Sequence, residues 1–104
     1  GGGLTKVIKF IEGVKVIKNN LIEIPPLFNL IQKETGTPMK EMFETFNMGT
    51  RLEIYTDASS AKQMIEIAAE FNIHAQIIGT VKSSEVNQVI IEHNNQEYLY
   101  SESN

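Results

Sequence analysis

The chain has 104 residues, with nine Lys+Arg against thirteen Asp+Glu and a net charge of −4, a length that holds one compact domain at most. Its apolar fraction of 41% and charged fraction of 21% are those of a globular chain, and its pI near 5.1 argues against a nucleic-acid or anionic-membrane partner, since either needs a basic face. No apolar run approaches the roughly 20 residues of a membrane span, and the absence of cysteine excludes a disulfide framework, a thiol nucleophile and a Cys-based metal site, in keeping with a cytoplasmic setting.

Three of the seven glycines are Gly1, Gly2 and Gly3, and the first methionine is Met39. This opening is either a linker or the front edge of a motif, with the chain expected to be one piece of a larger protein. Leu4, Val7, Ile8 and Ile11 then recur at i, i+3, i+4 and i+7, which predicts a short amphipathic helix closed by Gly13. Val14 to Ile17 reads as a strand, and Leu21 to Ile24 runs extended into Pro25-Pro26, because a proline biases its predecessor away from helix. Leu27, Leu30 and Ile31 mark a second helix ending by Thr35-Gly36. Thr37 and Pro38 suit the cap and first turn of a third, with Met39, Met42, Phe43 and Phe46 as its apolar stripe and Gly49 as its exit.

Leu52, Ile54 and Thr56 alternate with Glu53 and Tyr55, the pattern of a half-buried strand. Asp57, or alternatively Ser60, caps the clearest helix, which carries Ala61, Met64, Ile65, Ala68 and Ala69 on one face and Lys62, Glu66 and Glu70 on the other. Ala75 to Val81 is a strand interrupted by Gly79. Val86–Glu92 and Glu97–Tyr100 pair as a hairpin around Asn94-Asn95, and the tail Ser101–Asn104 frays. The order predicts an α+β layered domain with helices on a mixed, largely antiparallel sheet.

Chemically armed side chains are few. Asp57 reads as a helix cap, and His74 and His93 have no metal-ligand spacing around them, so they read as solvated or locally bonded. No catalytic residue and no metal ligand is assigned. Two segments can serve a phosphate ligand. Gly1-Gly2-Gly3 runs into a predicted helix start, where unpaired N–H groups and the helix dipole favour an anion, although a flexible end fits equally. Asn47-Met48-Gly49 falls at a helix exit, where Asn can contact a ligand and Gly permits close approach, although simple helix capping also accounts for it.

Together, Gly1-Gly2-Gly3-Leu4-Thr5, Ile24-Pro25-Pro26-Leu27-Phe28, Glu41-Met42, Thr45-Phe46-Asn47-Met48-Gly49 and Ile78-Gly79-Thr80-Val81 occur in the order and spacing of the aminoimidazole ribonucleotide synthetase family. Over nearly its whole length the chain resembles the later part of that family's C-terminal domain. The resemblance implies a layered α/β/α domain, here an incomplete one spanning 1–104, belonging to a two-domain enzyme with a separate N-terminal domain and a homodimeric assembly. It implies an ATP-dependent cyclo-ligase of purine biosynthesis: ATP activates the amide oxygen of formylglycinamidine ribonucleotide, and an internal nitrogen closes the imidazole ring.

ATP and Mg²⁺ are expected mainly outside this stretch, so that the stretch alone is inactive. Gly1, Gly2, Gly3, Leu4, Thr5, Asn47 and Gly49 are the residues the resemblance places at the substrate phosphate. The chain departs from the family at Lys6 and Val7, where Glu-Asn is usual, at Phe10 near an Arg place, and at Glu44, where Arg is usual. It also has Thr50-Arg51-Leu52 after Met48-Gly49, where Ile-Gly-Met is usual, and Arg51 is a candidate for restoring a positive charge. The alternatives are a catalytically degenerate binding or scaffold relative, or another ATP-using enzyme of the superfamily, such as a selenophosphate synthetase or a hydrogenase-maturation protein.

Overall fold

The computed structural model describes residues 3–101; Gly1, Gly2 and 102–104, the end of the tail expected to fray, lie outside the described residues. Four strands, β1 (Val14–Lys18), β2 (Gly79–Ser83), β3 (Gln88–His93) and β4 (Gln96–Ser101), form one sheet in the order β2-β1-β3-β4. β1 runs antiparallel to β2 and parallel to β3, and β3 runs antiparallel to β4, so the sheet is mixed and largely antiparallel as expected. The helices are α1 (Pro26–Thr35), α2 (Met39–Thr45) and α3 (Ala58–Glu70).

Cross-strand register explains the core. Val16 stands opposite Val89, and Val89 opposite Tyr100; Lys18 stands opposite Ile91, and Ile91 opposite Tyr98. These alternate residues share one face, because side chains of a strand repeat with period two. Met42 and Phe43 of α2, Leu4 and Met48 cover that face and are buried with it, with Phe28 and Ile31 of α1 packed alongside. The opposite face carries Ile17 and Ile90, both half-buried, and Leu99, which is exposed.

The hairpin turn is as predicted. Asn94 and Asn95 both take positive φ, 51° and 62°, which a two-residue primed turn requires and asparagine tolerates. Gly36 ends α1 at φ 67°, and Asp57 caps α3 by accepting the Ser60 N–H at 2.8 Å.

Four expectations are corrected. Leu4 to Ile11 forms only a 3-10 turn, Lys6–Lys9; a segment this short, with β-branched Val7 and Ile8 at its centre, cannot meet the cost of helix nucleation. Thr37 does not cap α2. Pro38 holds the N-cap position without a side-chain bond, while the Thr37 hydroxyl lies 2.7 Å from that of Thr35. β2 begins at Gly79, because 75–78 is tied to the loop after β1 by single bonds, Asn19 and Asn20 both donating to the Ile78 carbonyl.

The fourth correction concerns 52–56, which forms no strand. Leu52 and Ile54 point outward and Glu53 inward. The inversion has a cause: Lys18 is buried on the covered face of β1 and needs a countercharge, which Glu53 supplies at 2.8 Å.

Candidate phosphate-binding junction

Three of the sequence motifs meet in space. The Gly3 N–H donates to the Glu44 carbonyl and the Leu4 N–H to the Phe43 carbonyl, both at 2.9 Å, so the glycine segment lies along the end of α2. A Cβ on Gly3 would overlap the Phe43 carbonyl oxygen and come within 2.7 Å of that of Phe46. Glycine at this position is therefore demanded by backbone packing within the chain. Phe28 and Phe46 stack at a tilt with ring centroids 5.9 Å apart, joining the Pro-Pro-Leu-Phe segment to the Phe-Asn-Met-Gly segment.

Gly49 completes the junction. Its φ is +94°, and a Cβ would stand 2.5 Å from Cδ of Pro25. Met48, buried in the core, is held at φ 53° just before it. The Asn47 side chain accepts the Gly49 N–H at 2.9 Å, and its carbonyl accepts the Thr50 N–H at 3.0 Å, so Asn47 builds the turn from both ends.

Of the expected site residues, Gly3, Leu4, Asn47 and Gly49 are thus brought together. Thr5 follows Leu4 and is buried; Arg51 is exposed two residues beyond the junction; Gly1 and Gly2 lie outside the described residues. The Ile78-Gly79-Thr80-Val81 motif does not join them. Gly79 sits on β2 against the Ile17 carbonyl of β1. The expected helix dipole at the glycine segment is also missing, because a four-residue 3-10 turn aligns too few peptide units to present one.

Lys18 and Glu53, which the sequence reading left out, stand beside this junction. The Lys18 ammonium donates to the Leu4 carbonyl at 2.6 Å and to Oε1 and Oε2 of Glu53 at 2.8 Å each. Burial pulls the Lys18 amine below its ordinary value, opposed by the hydrogen bond and charge of Glu53. The Tyr55 hydroxyl donates to Glu53 Oε2 at 3.0 Å and is raised well above its usual range, by burial first and then by the Glu53 charge. A signal was present: period two places Val14, Val16 and Lys18 on one side of β1.

The histidines keep their local roles. His74 Nε2 lies 2.8 Å from Gln76 Oε1, and the His93 ring meets Phe43 edge-on with centroids 5.8 Å apart. A depression of about 440 Å³ lies at the β3–β4 turn, lined by Asn19 and residues 92–97, and no motif residue borders it. Among the described residues no three acidic or histidine side chains stand together to hold a metal ion, and no helix is long and apolar enough to cross a membrane.

Comparison with known sequences gives the class first: the similar proteins are cyclo-ligases. They carry the name phosphoribosylformylglycinamidine cyclo-ligase, and over most of its length the chain is similar to part of them, as the motifs led us to expect. The protein of Methanocaldococcus jannaschii is 41% identical over 88 residues, which is 84% of this chain and 25% of that protein. That of Methanococcus maripaludis is 35% identical over 106 aligned positions, covering 95% of this chain and 30% of the relative. That of Carboxydothermus hydrogenoformans is 32% identical over 94, covering 88% and 27%. The chain therefore spans between a quarter and a third of the length of these relatives. No family model matches the chain.

Proposed function

We propose that this chain is the stretch of an ATP-dependent cyclo-ligase that frames the phosphate of formylglycinamidine ribonucleotide while the ring of aminoimidazole ribonucleotide is closed. The observation that carries this reading is the convergence of Gly3-Leu4 with Asn47–Gly49 at one junction, braced by Pro25, in a chain similar to cyclo-ligases. Arg51 is the exposed cation nearest this junction, and an oxyanion ligand would meet it there.

On this reading ATP and Mg²⁺ are held mainly elsewhere in the polypeptide. ATP supplies the phosphoryl group that turns the amide oxygen into a leaving group. The residues of this stretch orient the ribonucleotide so that its internal nitrogen faces the activated carbon. The remaining layer of an α/β/α domain, the N-terminal domain and a second subunit complete the proposed enzyme, which works in the cytoplasm.

The test is turnover by the full-length polypeptide. With formylglycinamidine ribonucleotide, ATP and Mg²⁺ it should form aminoimidazole ribonucleotide, whereas residues 1–104 alone should form none. Arg51→Ala in the full-length protein should raise KM for the ribonucleotide by about tenfold, the loss of one charge-assisted contact. Unchanged kinetics would remove Arg51 from the site. A second reading, a binding relative that has lost the chemistry, is favoured by Glu44 and by Lys6-Val7 at family positions of other character. Ribonucleotide binding without any turnover would establish it.

A further inference from the structure

We infer that Lys18 and Glu53 form a positioning clamp that sets the Gly3–Thr5 segment against the Asn47–Gly49 junction, an inference that rests on the cyclo-ligase reading above. Lys18 ends β1 on the covered face of the sheet and is 1% exposed, among the most completely buried side chains described. An ammonium has three N–H donors. Three acceptors surround this one: the Leu4 carbonyl at 2.6 Å and the two Glu53 carboxylate oxygens at 2.8 Å. The Glu53 carboxylate takes one side of the ammonium and the Leu4 carbonyl another, so this side chain is tied to two separate stretches of the chain.

A buried ion pair adds little stability over well-packed apolar residues of the same volume. Its consequence here is geometric. The peptide group is planar and trans, so anchoring the Leu4 carbonyl on Lys18 turns the Thr5 N–H to the opposite side. The backbone bonds of Gly3 and Leu4 to Glu44 and Phe43 hold the segment along α2, and Lys18 fixes its remaining rotation. Glu53 carries the same restraint to the chain just beyond Gly49, with Tyr55 holding the carboxylate from its outer side. Beside those backbone bonds, one side chain therefore ties both edges of the junction together.

The test compares three forms of the full-length protein: the natural one, Lys18→Arg, which keeps several donors, and Lys18→Met with Glu53→Leu, which keeps apolar volume and removes the clamp. Melting and circular dichroism establish that each is folded. The double variant should raise KM for formylglycinamidine ribonucleotide by about 10-fold to 100-fold while kcat changes little, and Lys18→Arg should recover most of the loss. Amide hydrogen exchange at Leu4 and Thr5 should be faster in the double variant and near natural in Lys18→Arg. A folded double variant with unchanged KM, or with unchanged exchange at Leu4 and Thr5, overturns the clamp. If the natural protein does not turn over, the cyclo-ligase reading fails, and the exchange measurement decides the clamp on its own.

Discussion

Gly49 concentrates the demands of the junction into one residue. Its φ of +94° lies where side chains are strained, and Pro25 fills the space a Cβ would take. Gly49→Ala should lower stability by about 1–3 kcal/mol, read as a shift of the urea midpoint at unchanged slope. A midpoint equal to that of the natural chain would mean that Pro25 moves aside without cost. Lys18 poses the opposite problem, a charge held inside. Removing Glu53 alone would strand it and cost about 3–5 kcal/mol, whereas replacing both by apolar residues should cost far less. The glycines and the Asn-Met-Gly turn were legible in the sequence because their conformations are local. The Lys18–Glu53 pair was not, because it joins residues far apart in the chain through a strand register that only the sheet sets.

Among the elements, α3 shows what local signals can and cannot do. Asp57 accepts from the Ser60 N–H and from the Ser59 and Ser60 hydroxyls, and these bonds hold its carboxyl below the ordinary carboxylate value of 3.8. A group whose value is lowered by folding contributes stability above its unfolded value and loses it as pH falls through the folded one. Helicity of α3 should therefore hold down to about pH 4 and decline below it. In Asp57→Asn the decline should vanish, since an amide caps without titrating; circular dichroism against pH reads the difference, and identical curves would exclude Asp57 as the titrating group. Yet α3 contributes no buried residue, and Met64 and Ile67 on it are exposed. Its periodicity specified a helix with an apolar face, and nothing in that pattern says what the face meets. The segment 52–56 failed for a related reason. Alternation implies a strand only where a neighbouring strand is free to pair, and here Lys18 draws Glu53 inward instead.

At the scale of the molecule, the accessible surface is 7466 Å², against about 5,900 Å² for a compact protein of this mass. The radius of gyration, 14.4 Å, likewise exceeds the roughly 13 Å of a compact chain of this length. The excess surface is about twice the roughly 800 Å² that one partner gives to a standard interface, and Leu52, Ile54, Ile67, Phe71, Ile73 and Ile77 are exposed. Residues 1–104 in isolation should therefore pair with a second copy and bind a hydrophobic dye. Light scattering should give at least a dimer; a monomer without dye binding would contradict this. Ile67→Lys should weaken the association if α3 lies in the contact.

From the chain alone one could read the acidic, cysteine-free composition, the Asn-Asn hairpin, the capped helices α1 and α3, the strand β1 and the likeness to a cyclo-ligase, because each rests on neighbours in sequence. Tertiary structure alone decided three things: that Gly3-Leu4 lies along α2 ahead of a 3-10 turn at Lys6–Lys9, that 52–56 leaves the sheet, and that Lys18 is buried at the junction. These depend on which surfaces compete for the same space and on charges that must be neutralised once buried, and no local pattern contains that competition. The opening glycines changed meaning most. They suggested a phosphate at a helix dipole, and at Gly3 the reason for glycine is the close approach of two backbone segments.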